Sequence, residues 1–255
     1  MKLKRYCLLL LALCCSIFAQ SANVTLIAHI NDYPQIGYTD VWGYTAPNGE
    51  EYALLGVDAG VSIVRVTDPN NIAEVVFVPF VNFGWYDMKT YQHYMYVTSE
   101  GTTNMLIVDL SNLPVSASIV GTYTNFSTQP HNHFIDTEAG VLYGVEDFNG
   151  TNPVRIIGLN DPVNPVQLSV LGPAIATDAH DVFARDSVLY VAEGGSPTLG
   201  FFDVSDPSNP SLLQRVNIPS AGYVHNVWVS QDNNYLVSTE ETPDKTVKMW
   251  DISSG

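Results

Sequence analysis

Apolar residues in this chain come in short alternating runs, and the runs recur. Ile63-Val64-Arg65-Val66, Ile107-Val108-Asp109-Leu110, Ile156-Ile157-Gly158-Leu159, Phe201-Phe202-Asp203-Val204 and Met249-Trp250-Asp251-Ile252 each lead into a polar turn, and successive turns lie 44 to 49 residues apart. A period in that range, built from strand-like segments, marks a β-propeller blade. Period-two patterning and turn residues divide each repeat into four antiparallel strands, as at 40–44, 52–57, 61–66 and 73–80 of the first. Three turns contain Asp-Pro, at Asp68-Pro69, Asp161-Pro162 and Asp206-Pro207. Proline cannot donate to a ladder and Asp caps its own turn, so these pairs end strand three and reverse the chain. The expected fold class is all-β, a β-propeller of four-stranded blades of about 45 residues. Five blades are visible, near 38–80, 85–123, 130–172, 179–218 and 224–255.

The two ends bear on ring closure. Residues 23–32 read as a closing strand, the fourth of a blade whose other strands are missing, while the last repeat stops at Gly255 where its own fourth strand is due. Either the N-terminal strand completes blade five in a small ring, or the chain is a fragment of a larger, incomplete ring. Closure removes sheet edges that invite aggregation.

The first 19 residues form a separate unit. Lys2, Lys4 and Arg5 precede an apolar run from Tyr6 to Ala19, which is the form of a cleaved secretory signal peptide, so residues 20–255 are the propeller. That run is too short to span a bilayer, and no later stretch is longer, so no transmembrane segment is expected. All three cysteines, Cys7, Cys14 and Cys15, lie in the leader, which leaves the exported domain to be held by its core alone. With 26 acidic against ten basic residues, three of them in the leader, nucleic acid and anionic lipid are not expected as partners. The expectation is a monomer, extracellular or at the cell surface.

Particular segments carry a resemblance. Met105-Leu106-Ile107-Val108-Asp109 resembles the core of the LVIVD repeat. Tyr38-Thr39-Asp40-Val41-Trp42-Gly43-Tyr44, Glu51-Tyr52-Ala53-Leu54-Leu55-Gly56 and Trp85-Tyr86-Asp87-Met88-Lys89 look like the opening of the choice-of-anchor B family. The resemblance implies a secreted or surface-displayed bacterial propeller and no established reaction. The family usually continues for further repeats and a sorting segment, so the resemblance leads to the expectation that this chain is the N-terminal portion of such a protein.

A second register runs with the first: Thr39-Asp40, Tyr86-Asp87, His131-Asn132, His180-Asp181 and His225-Asn226, in steps of 45 to 49 residues. First strands line a propeller's axis, so Asp40, Asp87, Asn132, Asp181 and Asn226 are candidate ligand-binding residues at one mouth of the channel. Strand two returns to the same face and brings Asp58, Glu100, Glu146 with Asp147, Glu193, and Glu240 with Glu241. An oxygen-rich collar suits a divalent cation such as calcium, whereas the imidazoles of His131, His180 and His225 suit a transition metal. The plain alternative is that these groups satisfy backbone atoms of the next blade.

Nucleophile elbows, zinc-protease helices, phosphate loops and dinucleotide fingerprints are missing. Two functions stay open: a binding or adhesion module for an extracellular protein or glycan, and a metal-dependent hydrolase using the three histidines with Glu193 or Glu240.

Overall fold

The structure, a computed structural model, describes residues 24–35, 37–81, 84–146, 154–172, 174–176 and 178–253. The stretch expected to be a leader, 1–19, and Asp147 lie outside the described residues. Among those described, nineteen strands form five antiparallel sheets in sequence order. Blade one is β1 (Tyr38–Thr45), β2 (Glu51–Val57), β3 (Gly60–Arg65) and β4 (Ala73–Pro79). Blade two is β5 (Tyr86–Tyr91), β6 (Tyr94–Ser99), β7 (Met105–Asp109) and β8 (Ser118–Tyr123). Blade three is β9 (Pro130–Asp136), β10 (Val141–Glu146), β11 (Val154–Gly158) and β12 (Val166–Leu171). Blade four is β13 (Asp181–Arg185), β14 (Val188–Ala192), β15 (Thr198–Asp203) and β16 (Ser211–Asn217). Blade five shows β17 (Val224–Val229), β18 (Tyr235–Glu240) and β19 (Lys248–Asp251).

Burial explains the repeating phrase. The third strand of a middle blade is covered on both faces by neighbouring blades, so β7 and β11 bury nearly every residue and read as continuous apolar runs. The fourth strand lies at the rim, and β8, β12 and β16 expose half or more of theirs. The Asp turns are capped as expected: Asp68 accepts from the Asn70 amide at 2.9 Å, Asp161 from Val163 at 3.2 Å and Asp206 from Ser208 at 3.0 Å.

Each core cluster bridges two adjacent blades. Leu54 and Ile63 meet Met88 and Val97; Ile107 meets Ile135 and Leu142; Val145 and Ile156 meet Val182 and Phe202; Phe183 and Leu199 meet Val227 and Leu236. No such cluster joins blade five to blade one among the described residues, and the arrangement is an incomplete β-propeller of about five blades. The closing strand expected at 23–32 is corrected, since residues 24–32 belong to no sheet. Ile27 to Asn31 instead line a cavity of about 710 Å³ with Val41, Leu55 and Val64 of blade one, and the Tyr33 ring stacks on Phe77 at 6.0 Å. Val24, Leu26 and Ile27 stay exposed, so the apolar alternation of that segment is neither paired in a ladder nor buried. No helix among the described residues is long and apolar enough to cross a membrane.

Candidate functional site

The inner strands β1, β5, β9, β13 and β17 surround a channel of about 310 Å³, lined by Asp40, Asp87, Asn132, Asp181 and Asn226 among others. Three of these acids staple one blade to the next. Asp87 accepts from the His133 amide at 2.7 Å, Asp181 from the Val227 amide at 3.3 Å, and Asp40 from the Met88 amide at 3.4 Å. The Asn226 side-chain amide also donates to Asp181 at 2.9 Å. Each link ties a strand to a position 46 to 48 residues later, which makes the Asp at strand start a device for holding blades in register.

Lys89 supplies the positive charge that a calcium ion was expected to bring here. It is 8% exposed, salt-bridged to Asp87, 4.0 Å from Asp40, and lies 4.7 Å over the Trp42 ring. Burial pushes Asp87 up, but Lys89 and His133 outweigh it and hold that carboxyl well below the usual range. Asp40 lacks that balance: burial, then the Asp87 charge, raises its pKa to about 6. Burial also raises Asp181. His133 is fully buried, with Nδ1 3.0 Å from Asp87 and 3.2 Å from the Thr98 hydroxyl. His93 lies on the rim, 3.9 Å from Asp109, and His29 is exposed.

The strand-two acids divide into two sets. Glu193 is fully buried and takes both guanidinium nitrogens of Arg215 at 2.7 and 2.8 Å, the Thr198 hydroxyl at 2.6 Å and the Ala176 amide at 3.0 Å. Glu146 pairs with Arg155 at 3.1 Å and accepts from the Thr128 amide at 3.1 Å. Glu240 pairs with Lys248 and takes the Gly222 amide at 2.5 Å. Glu193 and Glu240, expected among the ligand-binding residues, are therefore corrected to blade-internal anchors.

Register gives the reason. Tyr96, Tyr143, Tyr190 and Val237 occupy matching positions, paired with Ile107, Ile156, Phe201 and Met249. Glu146, Glu193 and Glu240 stand three residues beyond, where side chains turn into the blade. Glu100 and Glu241 stand four beyond, and successive side chains in an extended chain point to opposite sides. These two reach the mouth. Sequence reasoning missed Lys89, Arg155, Arg215 and Lys248 as the partners that occupy the acids. A basic residue two positions after Asp87 on the same strand face was the one available signal.

At the mouth, a cavity of about 360 Å³ is lined by Thr39, Asp40, Trp85, His131, His180, His225 and Glu241. The three predicted histidines come together. His131 Nε2 and His180 Nε2 are 2.9 Å apart, and the His180 ring centroid is 4.0 Å from that of His225. His180, His225 and Glu241 each offer a ligand atom within 4.8 Å of the other two. His131 Nδ1 bonds Glu100, His180 Nδ1 bonds the His225 carbonyl at 2.9 Å, and His225 Nδ1 bonds the Asn226 side-chain oxygen. Burial, then the adjoining His131 and His225 rings, lowers the His180 pKa to about 4. Tyr223 meets His180 edge-on at 5.4 Å and is held by a 2.8 Å bond to Asp178.

Comparison with known proteins agrees with this architecture. The model of the LVIVD repeat matches residues 176–218, which contain β13 to β16 of blade four. Among solved structures, a functionally unknown protein from Desulfotomaculum acetoxidans DSM 771 superposes with a TM-score of 0.68 at 12% identity, covering 85% of this chain and 66% of that one. The Cps50 (Swd1) β-propeller domain of Myceliophteria thermophila gives 0.60 at 11%, covering 80% and 66%. A chain of the mitotic checkpoint complex gives 0.65 at 14%, covering 89% and 64%. This chain thus spans just under two thirds of the length of each. A search of curated proteins found no match. The fold defines a β-propeller. Within that class, the match to the LVIVD repeat covers blade four, at 176–218.

Proposed function

We propose that this chain is an exported binding module of the choice-of-anchor B type, carried out of the cytoplasm by the leader at 1–19, whose funnel mouth receives an extracellular protein or glycan. The observation that carries the reading is the 360 Å³ mouth cavity, where Trp85 stands 59% exposed beside the histidines. An exposed indole at the rim of a polar concavity offers a flat face for a sugar ring or a peptide side chain. The structurally similar chain of the mitotic checkpoint complex is itself part of a protein assembly, which supports a propeller used as a docking platform. A hydrolase reading casts Glu193 or Glu240 as the base, and both are buried beneath Arg215 and Lys248, so binding is the preferred role.

Glycan and peptide arrays probed with the exported chain and with Trp85→Ala test this. Binding to one class by the parent, lost in the variant, is the expected result. Equal binding by both proteins would move the ligand away from the mouth, and no binding to either array would leave a scaffold.

A further inference from the structure

The three mouth histidines share a feature beyond proximity. Each has its Nδ1 committed to an acceptor: the Glu100 carboxylate, the His225 carbonyl and the Asn226 side-chain oxygen. An Nδ1 that bonds an acceptor carries the proton, which leaves Nε2 as a lone pair. Buttressing one nitrogen in this way so that the other faces a common point is how metal-ligating histidines are oriented. Here two of those lone pairs, on His131 and His180, lie 2.9 Å apart. Two bare lone pairs at that distance repel, so an electropositive centre belongs with them.

We propose that His131, His180 and His225 form a tris-histidine site for a divalent transition metal ion, with Glu241 as its fourth ligand. Metal–nitrogen bonds of about 2.0–2.1 Å in a tetrahedral site put ligand nitrogens roughly 3.3 Å apart. The His131–His180 pair reaches that spacing by opening a few tenths of an ångström. His180, His225 and Glu241 already offer ligand atoms within 4.8 Å of one another, a group that leaves out His131, so bringing all four donors onto one ion takes side-chain rotation. Glu241 has 68% of its side chain exposed and lies 3.7 Å from His225 Nε2, so it is free to swing. Imidazole donors select zinc, cobalt, nickel or copper over calcium. The surplus of 26 acidic over ten basic residues draws cations toward the surface. Glu100 acts as a positioning residue, fixing the His131 ring without touching the ion.

The rival occupant of the gap is a proton: a doubly protonated His131 donating to both Glu100 and His180. The inference goes beyond the proposed docking role, because ion binding is measured directly and either can fail alone. Chelator-stripped exported chain is titrated with zinc by calorimetry and with cobalt by visible absorption. One equivalent of zinc is expected, with cobalt bands of a four-coordinate ion. His180→Ala should remove binding with its β-sheet circular dichroism unchanged. Glu100→Gln should weaken zinc about 10- to 100-fold. Should His180→Ala not fold, His225→Gln serves in its place, with at least a ten-fold loss expected. Folded parent that binds no zinc, or one equivalent retained by both His180→Ala and His225→Gln, overturns the assignment.

Discussion

Glu193 and Glu100 sit at neighbouring places in the blade repeat and have opposite fates. Glu193 faces inward and is closed off by Arg215, a threonine hydroxyl and a backbone amide. Glu100, one register step further, faces the mouth and spends its carboxylate on His131. The same split separates Glu240 from its neighbour Glu241. A period can therefore be read correctly and the chemistry still be misassigned by one residue, because adjacent side chains leave opposite faces of a strand. Blade-internal acids are compensated and belong to stability. Mouth-facing groups such as Glu241 and His225 stay partly exposed, and the proposed ion site is built on them.

The largest effect that would break this contrast is on stability. Glu193→Ala strips the partly exposed Arg215 of a bidentate partner and removes the acceptor of the Thr198 hydroxyl and the Ala176 amide, for an expected loss of about 1.5–3 kcal/mol. Urea unfolding should show that loss while zinc stoichiometry is retained, and an unchanged midpoint would place Glu193 outside the structural set. Asp87→Asn is the next step down. It keeps an acceptor for the His133 amide but leaves Lys89 without its closest charge, for an expected loss of about 1–3 kcal/mol by the same measurement.

A pH dependence sharpens the picture further. The Asp40 pKa is about 6 in the folded protein against an ordinary 3.8, so the native state holds this proton more tightly than the unfolded chain. Its contribution to stability is present below pH 4 and is lost as pH rises through 6. Asp40→Asn should remove that component, so that the variant gains on the parent between pH 4 and 7 in thermal unfolding. Parallel curves for the two proteins would show that Asp40 is not held protonated. The smallest effect belongs to the mouth. His225→Ala should change stability by no more than about 1 kcal/mol, since it removes one partly exposed ring and its bond to Asn226.

Much of the fold was legible because each strand's burial is written in its own alternation. The continuous apolar phrase marks a strand covered on both faces, and the Asp-Pro turn ends it. The histidine register was legible for the same reason, since steps of 45 to 49 residues return to the same place in successive blades. The role of the first-strand acids was not. Whether Asp87 holds a cation or the next blade's amide depends on where the following blade's first strand lies, which the strand's own alternation does not record, although Lys89 two residues on along the same face was a signal within the strand itself. The segment 24–32 misled because a short apolar alternation is strand-like whether or not a partner strand pairs with it, and here Val24, Leu26 and Ile27 are exposed.

The central claim is that the mouth, not the channel acids, is where the molecule takes up a cation. Crystals grown with one equivalent of zinc and measured at its absorption edge test this most directly. A single anomalous peak about 2.0–2.1 Å from Nε2 of His131, His180 and His225 is the result the account predicts. A peak among Asp40, Asp87 and Asp181, or none at the histidines, would contradict it.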